Sequence, residues 1–420
     1  MSVTSKLLEA IDDRKDRLAK LASDLVKFNT IAGAEAECQE YISATLKSLE
    51  FDKIDVWEPN NEELTKTFDD YVTCRDNFKG SPNVVGILKG SGGGKSLIYN
   101  VHVDVVPEGD WSDWTYPPFG GCIENGSVYG RGISDMKGAN APFWIAIEAI
   151  RSLGLKIKGD IIYQSVVEEE RGGAGTLACA LRGYKADAAI IPEPTDFRVC
   201  VVQQGSMWYR IKINGKAAHG ATRYQGVSAL DKAYSVIKSL EMLEKRRNEI
   251  YASQFYDGIP IPFTVNVGKM NAGDFPSTVP AKSYIEGRIG IAPGEEIRDA
   301  RRMVETWVKE SCTRDEWLKK HNPLIEWFGA VWGSAKIDPA HPIVEVCKEA
   351  YKNITGLDAK LAGTQWGTDA KALTDYSNTP TVVFGPGVMA HCADECVEID
   401  KLVNYSKIIA IIILNWCEYS

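Results

Sequence analysis

Ser96-Leu-Ile-Tyr-Asn-Val-His-Val-Asp104 is a strand pattern that stops on an imidazole and a carboxylate. Leu97–Val101 reads as a strand buried on both faces, and His102 and Asp104 follow at its carboxyl end. The same texture extends outward. Asn83–Leu88 reads as a second buried strand, Met136–Leu153 as a helix, Asp160–Val167 as a strand and Gly173–Leu181 as a helix. Strands at Asp187–Ile191 and Val199–Val202 follow. A strand with one wet face would alternate polar and apolar residues. Continuous apolar strands separated by helices instead predict a sheet covered on both faces, an α/β layer.

From about Gly205 the pattern changes. Met207–Ile213 alternates as a half-buried strand does, and Gly226–Leu243 places Val227, Leu230, Ala233, Ile237 and Leu240 at helical spacing. Strands at Phe263–Val267 and Ser283–Ile289 and a charged helix near Glu296–Glu310 complete a βαββα order, with room for one closing strand. That order resembles a ferredoxin-like α+β module. After Pro323 the α/β texture returns: a helix near Pro342–Tyr351, a strand at Thr381–Phe384 and a final helix at Asp400–Tyr419. The predicted organisation is one site-bearing domain in two segments, 1–205 and 323–420, with a smaller domain, 206–322, inserted between them.

Composition narrows the function classes. The 420 residues suffice for two or three domains at about 100–200 residues each. Lys and Arg number 48 against 57 Asp and Glu, a net charge of -9, so no general attraction to nucleic acid or anionic lipid is expected. With 44% hydrophobic and 25% charged residues the chain is an ordinary globular one, which excludes wholesale disorder. The most apolar run, Ile408–Leu414, is far short of the ~20 residues that span a bilayer. The first fifteen residues are interrupted by charge before a signal-like apolar stretch can form, and the ten cysteines show no framework spacing. A cytoplasmic protein with reduced thiols is expected.

The residues that carry chemistry cluster at strand ends. Besides His102 and Asp104, Gly130-Arg-Gly-Ile-Ser-Asp135-Met-Lys-Gly138 sets Asp135 at a strand-to-helix turn. Glu168-Glu-Glu170 follows one predicted strand, Glu193 in Pro192-Glu-Pro194 follows another, and His391 ends Gly385-Pro-Gly387-Val-Met-Ala-His391. In open α/β sheets ligand sites assemble at the carboxyl edge of the strands. Three consecutive glutamates would by themselves suit a solvated face. Five separate strand ends each carrying a ligand type outweigh that reading. Two imidazoles with three or four carboxylates suit divalent metal and exceed what one catalytic zinc needs. They fit two ions sharing one carboxylate, about 3.5–4 Å apart.

These motifs together resemble the metallohydrolase family of acetylornithine deacetylase, succinyl-diaminopimelate desuccinylase, aminoacylase and carboxypeptidase G. The resemblance runs from His102 through the inserted domain to His391. It implies a zinc-peptidase-like catalytic domain, a mixed sheet covered by helices, with the insertion acting as lid and dimerisation domain. It implies two divalent ions per subunit, Zn²⁺ foremost and Co²⁺ next. His102 would hold one ion, Asp135 would bridge, Glu170 would be a further ligand of one ion, and Glu193 and His391 would hold the second. Glu169 matches the general base and Asp104 the carboxylate that orients His102, since an acceptor on the distal ring N–H fixes tautomer and rotation. His219, in Gly215-Lys-Ala-Ala-His-Gly220, matches a donor to the tetrahedral oxyanion that reaches a partner subunit's site. Arg288, Ser277 and Gly387 would meet substrate. The family commonly has Asn-x-x-Pro where this chain has Ser277-Thr-Val-Pro280, which leaves the substrate class open.

The implied reaction is hydrolysis of the amide of an N-acylated amino acid or amine, by a metal-bridged hydroxide with Glu169 as general acid and base. A carboxypeptidase or dipeptidase is the alternative, and a non-catalytic metal-binding relative is the alternative of a different class. Gly90-Ser-Gly-Gly-Gly-Lys95-Ser96 almost spells a phosphate-binding loop. It lacks the first glycine, Lys standing at position 89, and precedes a strand, so a hairpin turn is expected there. Gly109-Asp-Trp-Ser-Asp-Trp114 and Gln365-Trp366 are expected near the mouth of the site. Cys392 and Cys396 read as packing thiols, half of a zinc site at most.

Overall fold

Tyr99 and Asn100 are neighbours on the strand that ends at His102, and they face opposite layers, as alternation requires. The Tyr99 ring stacks on Phe143 at 4.5 Å, while Asn100 donates to Thr176 at 2.9 Å. Phe143 lies on the helix Asn140–Ser152 and Thr176 on the helix Ala174–Leu181, so helices cover both sides of the sheet as its apolar strands predict. The computed structural model of the protein describes residues 2–72 and 75–420.

The first strands are β1 (Lys53–Trp57), β2 (Asn83–Leu88), β3 (Leu97–His102), β4 (Cys122–Glu124), β5 (Ser127–Tyr129), β6 (Ile161–Val166), β7 (Ala188–Ile191) and β8 (Val199–Gln203). The chain then leaves the main sheet for β9 (Gly205–Asn214), β10 (Val265–Ala272), β11 (Lys282–Ile291) and β12 (Leu324–Trp332). It returns with β13 (Ala335–Lys336), β14 (Leu361–Thr364), β15 (Thr381–Val383) and β16 (Cys396–Glu398). The main sheet has the order β1-β2-β6-β3-β7-β15-β8-β13, with β14 also on β8. Its centre, β6-β3-β7-β15, is parallel, so these four strands end at one edge. The outer pairings β1–β2, β2–β6 and β8–β13 are antiparallel, which makes the sheet mixed.

The glycine-rich loop after β2 is not a hairpin. β6 lies between β2 and β3, so the loop crosses the end of the sheet. Its glycines serve close packing: a Cβ on Gly94 would fall 1.9 Å from the Cys417 carbonyl oxygen.

The inserted module is a four-stranded antiparallel sheet, β10-β11-β9-β12, with helices Ala229–Ile250 and Ile297–Cys312 on one face. It has a hydrophobic cluster of its own, in which Met207, Tyr209, Ile211 and Ile213 of β9 meet Val304 and Val308. The buried Arg247–Glu295 pair, 2.6 Å apart, ties the longer helix to the loop ahead of the second one. The closing strand, β12, pairs with β9 and runs to Trp332, ten residues past the boundary expected at 322. Pro323 had suggested the end of the module, but a proline just ahead of a strand leaves the ladder intact.

Candidate active site

His102 is the last residue of β3, Glu168-Glu-Glu170 begins two residues past β6, Glu193 stands two residues past β7, and His391 lies eight residues past β15. Four adjacent parallel strands therefore deliver their polar ends to one place. Asp135 arrives differently. It follows β5, which belongs to a separate three-stranded sheet, β16-β5-β4. Its loop is held by Glu395, a residue no motif singles out. The Glu395 carboxylate accepts the main-chain N–H groups of Gly132, Ser134 and Asp135 at 2.9–3.2 Å and pairs with Arg131 at 2.6 Å.

Asp135 stands between the two imidazoles. Its Oδ1 is 3.0 Å from His102 Nε2 and its Oδ2 is 3.3 Å from His391 Nε2. Glu170 Oε1 is 3.0 Å from His391 Nε2, and Glu193 Oε1 is 4.0 Å from His102 Nε2. This corrects the expected pairing of Glu193 with His391. Glu193 follows β7, the direct neighbour of β3, and so sits beside His102. The longer loop after β15 carries His391 across to Glu170. His102, Asp135 and Glu170 offer ligand atoms within 4.8 Å of one another, and so do His102, Glu169 and Glu193.

The three consecutive glutamates separate by direction rather than facing solvent. Glu168 adopts φ 62° and turns to Arg75, 3.1 Å away. Glu169 faces Glu193 and His102, and Glu170 faces His391. Asp104 supports this turn in a way the sequence did not suggest. Its carboxylate accepts the N–H groups of Glu169 and Glu170, each at 3.1 Å. His102 Nδ1 donates instead to the Asp104 main-chain carbonyl at 2.9 Å, the carboxylate oxygen being 3.7 Å off. A carbonyl can only accept, so this bond places a proton on Nδ1 and directs Nε2 at the cluster.

Burial and mutual repulsion dominate the electrostatics. Burial pushes Glu169 and Glu193 well above the ordinary carboxylate range, with the Glu193 charge adding to the first and the Asp135 charge to the second. Glu170 is raised by burial and by Asp135. Burial would raise Asp135 too, but hydrogen bonds from His102 and His391 hold it below its usual range. Hydrogen bonds to Asp135 and Glu170 raise His391 to about 10. Glu169 Oε1 is buried without a hydrogen-bond partner. Three of these carboxylates, Glu169, Glu170 and Glu193, and both imidazoles hold protons more tightly than usual, and divalent cations compete for the same lone pairs. The donor set fits two such ions sharing Asp135.

The cluster forms the floor of a cleft of about 750 Å³. Its other walls include Trp208, Arg288 and Trp332 from the inserted module and Gln365, Trp366 and Val388 from the main domain.

Residues 98–415 match the profile of peptidase family M20/M25/M40. The chain belongs to that family. It is 30% identical over 445 aligned positions to the N-formyl-4-amino-5-aminomethyl-2-methylpyrimidine deformylase of Halalkalibacterium halodurans, covering 99% of this chain and 98% of the relative. It is 25% identical to a probable succinyl-diaminopimelate desuccinylase of Staphylococcus epidermidis, over 92% and 94% of the two chains. Among solved structures, the dipeptidase Dug1p of Saccharomyces cerevisiae aligns over 100% of this chain and 99% of its own, with a TM-score of 0.76 at 15% identity.

Not every expected residue of this M20-family site meets the cleft. Arg288 lines it and donates to Thr264 Oγ1 and to the Gln365 carbonyl, each at 3.1 Å. His219 does not line it: the side chain is exposed on the inserted module, where Nδ1 accepts the Ala221 N–H at 3.1 Å. Ser277 lies beside His219, its carbonyl accepting the Gly220 N–H at 2.7 Å. Gly387 supports the His391 loop from behind. Its carbonyl accepts the Asp196 N–H at 2.8 Å, and a Cβ there would fall 2.5 Å from Ser134 Oγ. Of the aromatic stretches, Trp366 reaches the cleft, whereas Trp111 and Trp114 bond to Glu108 outside it. Trp208, Trp332 and Glu395 were not anticipated.

Proposed function

We propose that the protein is a dinuclear metal-dependent N-deacylase that cleaves the amide of a small N-acyl amine or amino acid. The observation that carries this reading is the arrangement around Glu169. A buried, unpartnered carboxylate oxygen faces a ring of ligand-type side chains at the floor of an open cleft. His102 and Glu193 would hold one ion, His391 and Glu170 the other, with Asp135 shared. Zn²⁺ suits this mixed nitrogen and oxygen donor set best, with Co²⁺ next. Bound there, the pair would supply Lewis-acid polarisation of a water and of the scissile carbonyl. Glu169 would take the proton of the attacking water on Oε1 and return it to the departing nitrogen. The main chain of Glu169 is fixed from both sides, its N–H by Asp104 and its carbonyl by the Trp332 indole at 3.1 Å, so the carboxylate need not be reoriented for either transfer.

His219 would complete the oxyanion's donors from a twofold partner, since its own chain keeps it outside the cleft. Exposed Leu230, Tyr234 and Met242 on the helix Ala229–Ile250 offer apolar surface that a partner module could cover. The nine described cysteines are all free, which supports a reducing, cytoplasmic setting. No helix of the described residues is long and apolar enough to cross a membrane.

One observation favours a carboxylated substrate, as in the peptidase reading. Arg288 is half-buried, and the hydrogen bonds it makes go to neutral acceptors. A guanidinium fork suits a carboxylate. A screen of N-formyl, N-acetyl and N-succinyl amines and amino acids beside dipeptides, read by amine release, tests the proposal. Turnover of N-acyl compounds is expected; hydrolysis confined to dipeptides would overturn it.

A further inference from the structure

The turn that carries Glu169 and Glu170 is entered through a costly backbone conformation. Glu168 stands at φ 62° and ψ 28°, just ahead of the short 3-10 turn Glu169–Arg171, and its side chain makes no capping bond. Gly172 and Gly173, at the far end of that turn, also have positive φ, 121° and 76°. Glycine takes such angles freely, whereas a residue with a Cβ crowds a carbonyl oxygen there and is disfavoured by about 5–30-fold in population. Two of the three positive-φ positions therefore hold the residue that the backbone favours. The first does not.

The Glu168 side chain is what offsets that cost. Arg75 Nη1 donates to Glu168 Oε2 at 3.1 Å, with the two side chains 12% and 2% exposed. The guanidinium is anchored in its turn. Its Nη2 donates to Ser81 Oγ at 2.8 Å, and Ser81 Oγ donates to the buried Glu35 Oε2 at 2.6 Å. Asn61 Nδ2 donates to the Arg75 carbonyl at 2.6 Å, and the Phe78 ring lies 4.9 Å from the guanidinium carbon. Parting a buried ion pair strands a charge in the interior, so Glu168 is not free to swing away from a fixed Arg75. Asp104 cannot replace this hold, because its carboxylate reaches the N–H groups of Glu169 and Glu170 and not Glu168.

We propose that Arg75 is a positioning residue for the site: by holding Glu168 in the left-handed conformation, it aims Glu169 at His102 and Glu193, and Glu170 at His391. Its expected effect on turnover rests on the deacylase reading; its effect on metal binding does not. Neither Arg75 nor Glu168 is among the residues that line the cleft, so the brace acts through the turn and not on substrate. Releasing it lets the turn relax, and only the fraction of molecules that keep the aimed turn binds metal tightly and reacts.

Two substitutions at one position separate a brace from a merely structural ion pair. Glu168→Ala and Glu168→Gly both delete the carboxylate, but only glycine adopts φ 62° without help. Glu168→Ala should weaken Zn²⁺ binding, measured by competition with a chromophoric chelator, by about 5–30-fold and lower kcat similarly, with KM nearly unchanged. Glu168→Gly should stay within about threefold of wild type in both. Arg75→Met should behave like Glu168→Ala, and adding Glu168→Gly to it should recover most of the loss, because the turn no longer needs the brace. Wild-type zinc affinity in Glu168→Ala or in a folded Arg75→Met protein would overturn the proposal, as would a Glu168→Gly loss equal to that of Glu168→Ala. If Arg75→Met does not fold, as judged by circular dichroism, the two Glu168 variants decide. If the wild-type protein hydrolyses no N-acyl compound, the deacylase reading fails, and the zinc affinities decide the brace by themselves: alanine weaker than glycine supports it, and equal values remove it.

Discussion

The floor and the roof of the cleft are built on opposite principles. The floor is charge concentrated in the core: His102, Asp104, Glu169 and Glu193 are each no more than 5% exposed, and each is fixed by a neighbouring strand end or a main-chain N–H. The roof is aromatic surface on the open face of a separate small sheet, with a hydrophobic core of its own. A change in the floor disturbs mutually dependent charges, whereas a change in the roof alters aromatic contacts on a module with its own core. On the proposed reading the reaction is carried by the main domain, and the inserted module supplies part of the surface that meets substrate. The reaction should be brittle to substitution and the selectivity adjustable.

The largest expected effect lies in the floor. Glu169→Gln should reduce kcat by about 10²–10⁴-fold or more while bound metal stays at the wild-type level, because one residue serves both proton transfers. Glu170→Ala should instead lose metal, as measured by elemental analysis of the purified variant. Near-normal turnover in Glu169→Gln would erase the distinction between base and ligand.

His219 sharpens the comparison, because it stands on the inserted module outside the cleft of its own chain and is expected to act on the floor of another chain. His219→Ala should cost about 10²–10³-fold, the loss typical of one oxyanion donor. Mixing inactive His219→Ala and Glu169→Ala subunits should return about a quarter of wild-type activity, since about half the dimers are mixed and each has one intact site. No recovery after tag-verified subunit exchange would place His219 outside the reaction.

The smallest effect belongs to the contact between roof and floor. Trp332→Phe keeps the ring and removes one of the two N–H groups, the other being that of Gly172, that hold the Glu169 carbonyl. A neutral hydrogen bond is worth about 0.5–1.5 kcal/mol, so kcat should fall about 3–10-fold with KM nearly unchanged. A change confined to KM would make Trp332 a binding residue only.

The same contrast explains what the sequence disclosed. His102, Asp135, Glu170, Glu193 and His391 were legible because each interrupts an apolar pattern or a glycine turn with a ligand-type side chain. The α/β layering and the βαββα module were legible from continuous and alternating runs. What stayed hidden is long-range. Glu395 lies 260 residues beyond Asp135 and holds it through main-chain bonds that no local spacing encodes. Trp208 and Trp332 sit at positions where alternation says only that a side chain faces away from its own core. The grouping of these side chains into pairs depends on strand order, and that order, with β6 between β2 and β3, is also what overturned the hairpin. The Asp104 bonds depend on whether a carbonyl or a carboxylate comes nearer to His102, a choice made by less than an ångström.

The central claim is that the floor works only when two cations occupy it. Chelated, metal-free protein titrated with Zn²⁺, with amine release from an N-acyl substrate followed against bound zinc, tests this most directly. Activity should be negligible without metal and reach its plateau at about two ions per chain. Full turnover by protein verified to be metal-free would contradict the account.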